Sequence, residues 1–348
     1  MFRLFSKIRA CRLALVAWSR NIGSFTSRLA EKERMLVQLT AMNDADNLEQ
    51  IQLVKGKINA ILYQEELFWR QRSRAIWLPA GDKNMKYFHQ RASQRRRKNH
   101  IAGFMDEGGR WCTTDEEKER VAEEYCQQLY TATNSNEMGA VLDKVDWVVP
   151  LGMNQTLLQP YTPDEIKRAL FQMHPSKSPG LDGMSLFFFK KYWNKVERDV
   201  AKAVLSVLHS GQFLRKMKYT HIVLIPKINE PKIVADFRSI SLTNVISRLV
   251  SKVIANRLKL ILPNVILDSQ SAFVPNQLIT NNTTIAFEVL HRMQNKRTSR
   301  KGQMAIKLDI SKAYDRVEWG FLKHIMLKLG FDVQWVQLAM ETICAYKW

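Results

Sequence analysis

Hydrophobic residues in the first half of the chain recur every three or four positions, the spacing of one face of an α-helix. One stripe begins the chain and a second runs from Ile51 to Phe68. The polar stretch from Asn43 to Asn47 separates two charged helical segments, so we expect a helical hairpin there. A β-hairpin is predicted over Ile101–Trp111 and an amphipathic helix over Asp115–Tyr130. The pattern predicts a helical N-terminal region with one small hairpin.

The pattern changes in the second half, where short apolar runs alternate with helical stripes. Residues 162–165, TPDE, have the signature of a helix start: a Thr cap, Pro at the first helical position and Glu reaching back. His221–Pro226 predicts a short strand, and the stripe from Val245 to Leu258 predicts a helix that stops at Pro263. Ala305–Leu308 predicts a further strand. This mixture of helices and strands predicts an α+β fold.

The charge of the chain is strongly positive. Lys and Arg number 53 against 33 Asp and Glu, which gives a net charge of +20. Such an excess favours a polyanionic partner, with nucleic acid first and an anionic membrane surface second. No apolar run is long enough to span a bilayer, so a membrane is not expected as a partner. The four cysteines form no C-x-x-C pair, which argues against a zinc site or disulfide framework and favours a reducing, intracellular compartment.

One block, residues 77–100, interleaves cations with aromatic rings: WLPAGDKNMKYFHQRASQRRRKNH. Cations bind phosphates and flat rings stack on bases, so the block predicts a site for single-stranded nucleic acid. A nuclear-localisation signal is the alternative interpretation of Arg95–Lys98. A merely solvated charged face is a third. The candidate nucleic-acid contacts are Lys83, Lys86, Arg91, Arg95, Arg96, Arg97 and Lys98.

A second candidate site lies in residues 304–318, MAIKLDISKAYDRVE. Asp309 comes where the predicted strand ends, and a carboxylate in that position is well placed to hold Mg²⁺. A single Asp after a strand is also a common turn residue. Asp315 and Glu318 have the spacing of a helix N-terminus, so we interpret Asp315 as a cap and not as a metal ligand.

Five blocks in one order resemble the reverse transcriptases of LINE-type (non-LTR) retrotransposons, specifically those of plants. They are GDKNMKYFH with QRRRKNHI, KSPGLDG with FFFKKYW, IVLIPK with DFRSISLTN and SKVIANRL, SQSAFVPNQLITNN, and KLDISKAYDRVEW. The resemblance implies a right-hand polymerase fold. In it, residues 1–150 form a helical, basic linker that follows an endonuclease. Residues 151–348 form the fingers and the first part of the palm.

The resemblance also implies roles for individual residues. Asp309 matches the first catalytic aspartate, which holds both Mg²⁺ ions, and Tyr314 matches the residue that stacks beneath the nucleotide sugar. Arg238 matches a fingers arginine over the incoming triphosphate, and Lys227 is a candidate for the same phosphates. The implied partners are an RNA template and a DNA primer. The chain departs from the family's usual pattern at three positions: Ser239 replaces Pro, Asn276 replaces Gly and Asn281 replaces Asp.

Two later blocks of the family, Gln-Gly-x-Pro-Leu-Ser-Pro and Tyr/Phe-x-Asp-Asp, do not occur in these 348 residues. Polymerase chemistry uses two Mg²⁺ ions roughly 4 Å apart, and a single carboxylate binds Mg²⁺ poorly. We therefore expect a truncated, catalytically incomplete fragment. We also expect Gln303–Trp348 to be poorly folded, because the apolar residues Trp335, Leu338 and Ile343 lack the palm sheet that would cover them.

Two other functions stay open from the sequence. One is a non-catalytic RNA- or DNA-binding remnant that keeps the basic arm and fingers. The other is a mitochondrial intron-maturase-like protein, because residues 1–30 contain six Lys and Arg and no acidic residue. The retrotransposon interpretation places the protein in the nucleus or cytoplasm, whereas the maturase interpretation places it in the mitochondrion.

Overall fold

The computed structural model describes residues 2–42, 47–75, 77–78, 85–131, 138–267, 270, 274, 278–295 and 304–344. This part of the chain is mainly helical, with two antiparallel hairpins and two short 3₁₀ turns. The elements are α1 (Phe2–Asn21), α2 (Phe25–Ala41), α3 (Leu48–Ser73), α4 (Met85–Lys98), β1 (Phe104–Met105), β2 (Trp111–Cys112), α5 (Asp115–Tyr130), α6 (Met138–Leu142), α7 (Leu151–Leu158), α8 (Pro163–Gln172), α9 (Leu186–Lys191), α10 (Trp193–Ser210), β3 (His221–Pro226), β4 (Phe237–Leu242), α11 (Val245–Val265), α12 (Ile279–Asn295), α13 (Trp319–Lys328) and α14 (Val333–Cys344).

The predicted N-terminal elements are present. Helices α2 and α3 pack against each other, and α4 packs on α3. Residues 43–46 of the predicted polar break lie outside the described residues. Strands β1 and β2 form the predicted hairpin, and α5 spans the residues predicted for it. The helical hairpin, the β-hairpin and α5 are therefore confirmed.

The predicted start of α8 is confirmed in detail. The Thr162 hydroxyl accepts a hydrogen bond from the Glu165 N–H at 3.3 Å, and the Glu165 carboxylate accepts one from the Thr162 N–H at 2.8 Å. This reciprocal pair satisfies two N–H groups that an α-helix leaves unpaired at its start. The apolar face of the helix, with Ile166, Ala169 and Leu170, is buried.

The main hydrophobic core lies between α7, α8, α10, α11 and α14, and α1 adds Leu4 and Ile8 to it. A smaller core joins β1, β2 and α5 to β4, with Phe104 and Phe237 packed edge to face at 5.4 Å. Both cores contain residues from before and after position 150. The division into two domains at that position stays a prediction. Residues of both predicted domains contribute to each core. In the described residues, no helix is long and apolar enough to cross a membrane.

Asp315 is not the predicted helix cap, because it lies in the turn 311–316 and Glu318 is the N-cap residue of α13. Three further predictions about elements are wrong. Ala305–Leu308 is an irregular segment and not a strand, and Leu308 is 85% exposed. Among the described residues no strand lies beside this segment to complete its hydrogen-bond ladder. Helix α11 does not stop at Pro263 but continues to Val265.

The third of these errors concerns the C-terminal helices. Trp335 is 1% exposed and Leu338 is 8% exposed, because α14 packs on α11. Asn154 ties this region to α7: its side chain donates to the Gly330 carbonyl at 2.7 Å and accepts from the Asp332 N–H at 2.8 Å. The core that α14 shares with α11 thus covers Trp335 and Leu338, whereas Ile343 is 39% exposed, as the sequence predicted.

Candidate functional site

The β3–β4 hairpin positions Lys227 and Arg238. Ile225 pairs with Arg238 and Pro226 with Phe237, so Phe237 faces the small core while Arg238 points to solvent on the opposite face. Lys227 extends the ladder by one residue, because its N–H donates to the Asp236 carbonyl at 2.8 Å. Its ammonium group donates to the Ala235 carbonyl at 2.9 Å. The two predicted phosphate contacts therefore lie at the turn end of one hairpin.

Asp309 lies in the exposed segment 304–310, which forms no strand. No group of three His, Cys, Asp or Glu side chains in the described part of the chain is arranged to hold a metal ion. A single exposed carboxylate does not fit the octahedral coordination that Mg²⁺ requires. The described residues therefore do not by themselves form the Mg²⁺ site that the sequence predicts.

The turn after Asp309 is held against α5. The Lys312 ammonium lies 4.3 Å from the centroid of the Tyr125 ring and donates a hydrogen bond to the Tyr125 hydroxyl. Lys312 has a φ of 53°, which few residues other than glycine adopt. Tyr314, two residues further on, is 76% exposed. Helix α5 thus fixes the position of the segment that carries Asp309 and Tyr314.

Helix α5 also connects this segment to the β3–β4 hairpin. Burial raises the pKa of Tyr130, although a hydrogen bond from Ser239 opposes the increase, and the charge of nearby Asp315 adds to it. Tyr130 therefore lies near both Ser239, the neighbour of Arg238 in sequence, and Asp315, the neighbour of Tyr314. The Ser239 hydroxyl makes a contact that the family's usual proline could not make.

Most of the predicted nucleic-acid-binding cations lie on helix α4, and their role stays a prediction. Lys86, Arg91 and the run 96–98 are exposed, Arg95 is half-buried, and Lys83 lies outside the described residues. The predicted role of the rings is wrong for Phe88, which is fully buried. His89 packs on Trp69 of α3, with ring centroids 3.9 Å apart. These two rings lie on the side of α4 that packs against α3.

Arg74 and Lys177 are not among the site residues predicted from the sequence. Arg74 ends α3 and donates to the Ser176 carbonyl and the Ser178 hydroxyl, each at 2.6 Å. These contacts join residues about a hundred positions apart, which hydrophobic periodicity cannot detect. The KSPGLDG block, which contains Lys177, is the feature of the sequence that could have pointed to this loop.

Comparison with known proteins agrees with the resemblance. Residues 225–347, from β3 through α14, match the family described as reverse transcriptase (RNA-dependent DNA polymerase). The chain is 30% identical over 189 residues to the transposon TX1 uncharacterized 149 kDa protein of Xenopus laevis, covering 54% of this chain and 14% of that protein. It is 28% identical over 198 residues to the retrovirus-related Pol polyprotein from type-1 retrotransposable element R2 of Nasonia vitripennis, covering 55% and 18% respectively.

Residues 225–347 are thus similar to a reverse transcriptase domain, and that similarity implies the polymerase fold of that family. Both relatives are named as proteins of transposable elements, and together these findings support a retrotransposon reverse transcriptase. The matched region spans less than a fifth of the length of either relative. Reverse transcriptases as a family bind an RNA template and a DNA primer and use divalent metal ions.

Proposed function

We propose that this chain is part of the reverse transcriptase of a LINE-type, non-LTR retrotransposon of the plant lineage. It contributes the fingers and the first part of the palm to RNA-directed DNA synthesis. The observation that carries the proposal is the family match over residues 225–347, which includes Lys227, Arg238, Asp309 and Tyr314. The five ordered sequence blocks support the non-LTR and plant assignments.

In this proposal the β3–β4 hairpin binds the incoming nucleotide. The Arg238 guanidinium is planar and exposed, so it can form two parallel hydrogen bonds with a phosphate, and Lys227 adds a point charge beside it. Tyr314 supports the nucleotide sugar. Asp309 would supply one of the carboxylates that hold a pair of Mg²⁺ ions, and the bound ions would lower the barrier to phosphoryl transfer.

We further propose that the 348-residue polypeptide binds template and primer but does not extend the primer by itself. Its sequence contains no Asp-Asp pair. Polymerase chemistry requires carboxylates on both sides of a pair of metal ions, and Asp309 alone cannot hold that pair. The exposed cations of α4 bind the phosphates of the template and primer. The proposed location of the protein is the nucleus or the cytoplasm.

Primer extension on an RNA template with Mg²⁺ tests the catalytic part of the proposal. We expect no incorporation above that of Asp309→Ala. Incorporation that disappears in Asp309→Ala would show that the polypeptide is a complete polymerase.

Salt-dependent binding of the same template and primer tests the rest. The Arg96→Ala/Arg97→Ala/Lys98→Ala variant should reduce the slope of log affinity against log salt by up to about 2 if all three side chains contact single-stranded phosphates. The matched control replaces Arg168, Lys195 and Lys202, which are exposed on α8 and α10, with alanine. Equal slopes in the two variants would exclude α4 as the binding surface.

A non-catalytic nucleic-acid-binding protein is the second candidate function. The exposed cations of α4 favour it, because they do not depend on the palm. Binding without any preference for a template annealed to a primer, over an unpaired strand, would favour this candidate over a polymerase fragment.

A further inference from the structure

The loop between α8 and α9, residues 173–185, meets the end of α3 and the side of α4 in a basic cleft. The cleft has a volume of about 390 Å³, and no carboxylate lines it among the described residues. A water molecule in the liquid occupies about 30 Å³, so the cleft has room for a phosphate group and its hydration. Its charged or hydroxyl-bearing lining side chains are Arg72, Arg74, Arg95, Ser176, Lys177 and Ser178.

The loop is held in place from two sides. Arg74 donates from α3 to the Ser176 carbonyl and the Ser178 hydroxyl, and Arg248 donates from α11 to the Ser178 carbonyl at 2.7 Å. Gly180 lies directly against Thr243 and Asn244 at the start of α11. Both arginines therefore hold the loop, and the cleft is already formed in the folded chain.

Arg74 itself is in an unusual conformation. Its φ of 58° is in the left-handed region, which costs a residue with a side chain on the order of 1 kcal/mol or more. In that conformation its guanidinium reaches the loop about a hundred residues further along the chain. This strained residue lies where α3, α4 and the loop meet, and strained backbone conformations are common at binding sites.

The cations in the cleft are close enough to repel one another. Burial lowers the pKa of Arg95, and the charge of Arg74 lowers it further. No ion pair joins Arg72, Arg74, Arg95 or Lys177 to a carboxylate in the described residues. Like charges gathered in a half-buried cleft are destabilising unless an anion is bound among them.

The positive surface continues from the cleft onto α11. Burial lowers the pKa of Lys252, and the charges of Lys259 and Lys177 lower it further. Lys177, which lines the cleft, is therefore also close enough to Lys252 on α11 for the two charges to repel each other. A row of cations suits a polymer of phosphates better than an isolated anion.

We propose that this cleft binds a phosphodiester group of a nucleic-acid strand that passes from α4 across the loop to α11. Arg95 and Lys177 contact the phosphate oxygens, while Arg74 keeps the loop in position. The inference rests on the proposed function and adds a site to it. The same chemistry could accept the phosphates of a free nucleotide, and the test separates the two sources.

The test compares Arg95→Gln/Lys177→Gln with Arg168→Gln/Lys202→Gln in the full 348-residue chain. Both variants remove one Arg and one Lys charge, and Arg168 and Lys202 are exposed on α8 and α10. Fluorescence anisotropy with a labelled single-stranded RNA gives affinity over a range of salt concentrations. Circular dichroism establishes that both variants are folded.

We expect the cleft variant to bind RNA about tenfold more weakly than the control, because charged hydrogen bonds to a phosphate are lost. We expect its salt slope to be shallower by about 0.7, which corresponds to one phosphate of a single strand. If the two variants bind RNA with equal affinity and the unmodified chain also binds RNA, the proposal that the cleft binds a phosphodiester group is overturned. The proposed function is then left intact.

A second arm measures binding of dTTP to the same two variants. Loss of dTTP binding in the cleft variant, with RNA binding unchanged, would assign the cleft to a nucleotide and overturn the proposal. Absence of RNA binding by the unmodified chain would contradict both the cleft and the nucleic-acid binding in the proposed function.

Discussion

Arg257 and Glu165 form an ion pair in which two guanidinium nitrogens meet both carboxylate oxygens, with Nε–Oε1 at 2.8 Å and Nη2–Oε2 at 2.9 Å. Arg257 is 5% exposed, and its guanidinium lies 3.6 Å from the centroid of the Tyr161 ring. It also donates to the carbonyls of Leu157 and Pro160, each at 2.9 Å. One side chain of α11 thus fixes the end of α7 and the start of α8.

Replacement of Arg257 by leucine should lower the free energy of unfolding by about 3–5 kcal/mol, because it leaves the Glu165 carboxylate and three main-chain oxygens, that of Gln159 included, without their donor. Urea denaturation measures the change. Arg198→Leu on the exposed face of α10 is the control, and we expect it to stay within about 0.5 kcal/mol of the unmodified chain. Equal losses in the two variants would show that the Arg257 contacts are not structural.

The same pair predicts a dependence on pH. Burial alone would raise the pKa of Glu165, but hydrogen bonds from Arg257 and Thr162 outweigh it and lower the pKa. A carboxyl group with a lowered pKa stabilises the fold above its unfolded value and loses that contribution as the pH falls through its folded value. The free energy of unfolding should therefore decline below about pH 4, and less steeply in Glu165→Gln. Asp106, Glu117 and Asp236 also have lowered pKa values, so part of the slope should remain. Identical slopes in the two proteins would contradict the prediction.

Gly180 gives a test of the loop. A Cβ atom there would lie 2.6 Å from main-chain atoms of Thr243 and Asn244, which cannot move without shifting the start of α11. Gly180→Ala should therefore lower stability by about 1–3 kcal/mol. Gly56→Ala is the control, because Gly56 lies within α3 with open space around it, and there alanine should raise stability by about 1 kcal/mol. Thermal unfolding of both variants provides the comparison, and a stabilising Gly180→Ala would contradict the packing described for the loop.

The sequence predicted what depends on neighbouring residues and failed where distant residues meet. Thr162 and Glu165 are three positions apart, so the TPDE signature was enough to predict the two hydrogen bonds between them. Arg257, 92 residues from Glu165, completes the same site and gives no local signal. Likewise the pattern marked Phe88 as aromatic and exposed among cations, but its packing against α3 buries it. Of the predicted site, the strand that ends beside Lys227 was predicted correctly, but the strand that carries Arg238 was missed. The strand predicted before Asp309 is absent, since a strand needs partners that local sequence does not specify.

Hydrogen exchange should separate the two parts of the C-terminal region. Residues 304–310 are exposed and irregular, so their amides should exchange rapidly. Amides in the middle of α14 should be protected to a similar degree as those in Val245–Leu258 of α11, because Trp335 and Val336 are buried in the shared core. Rapid exchange throughout 319–344 would restore the expectation from sequence that the whole region is poorly folded.

Photocrosslinking of an RNA template annealed to a DNA primer tests most directly whether α4 and the β3–β4 hairpin bind the substrates of a reverse transcriptase. Mass spectrometry of the crosslinked 348-residue chain would identify the contacting peptides. We predict crosslinks in α4 and in the turn of the β3–β4 hairpin between Lys227 and Arg238, and none on the exposed face of α10 around Lys195 and Lys202. Crosslinks confined to α10, or spread evenly over the surface, would contradict the account.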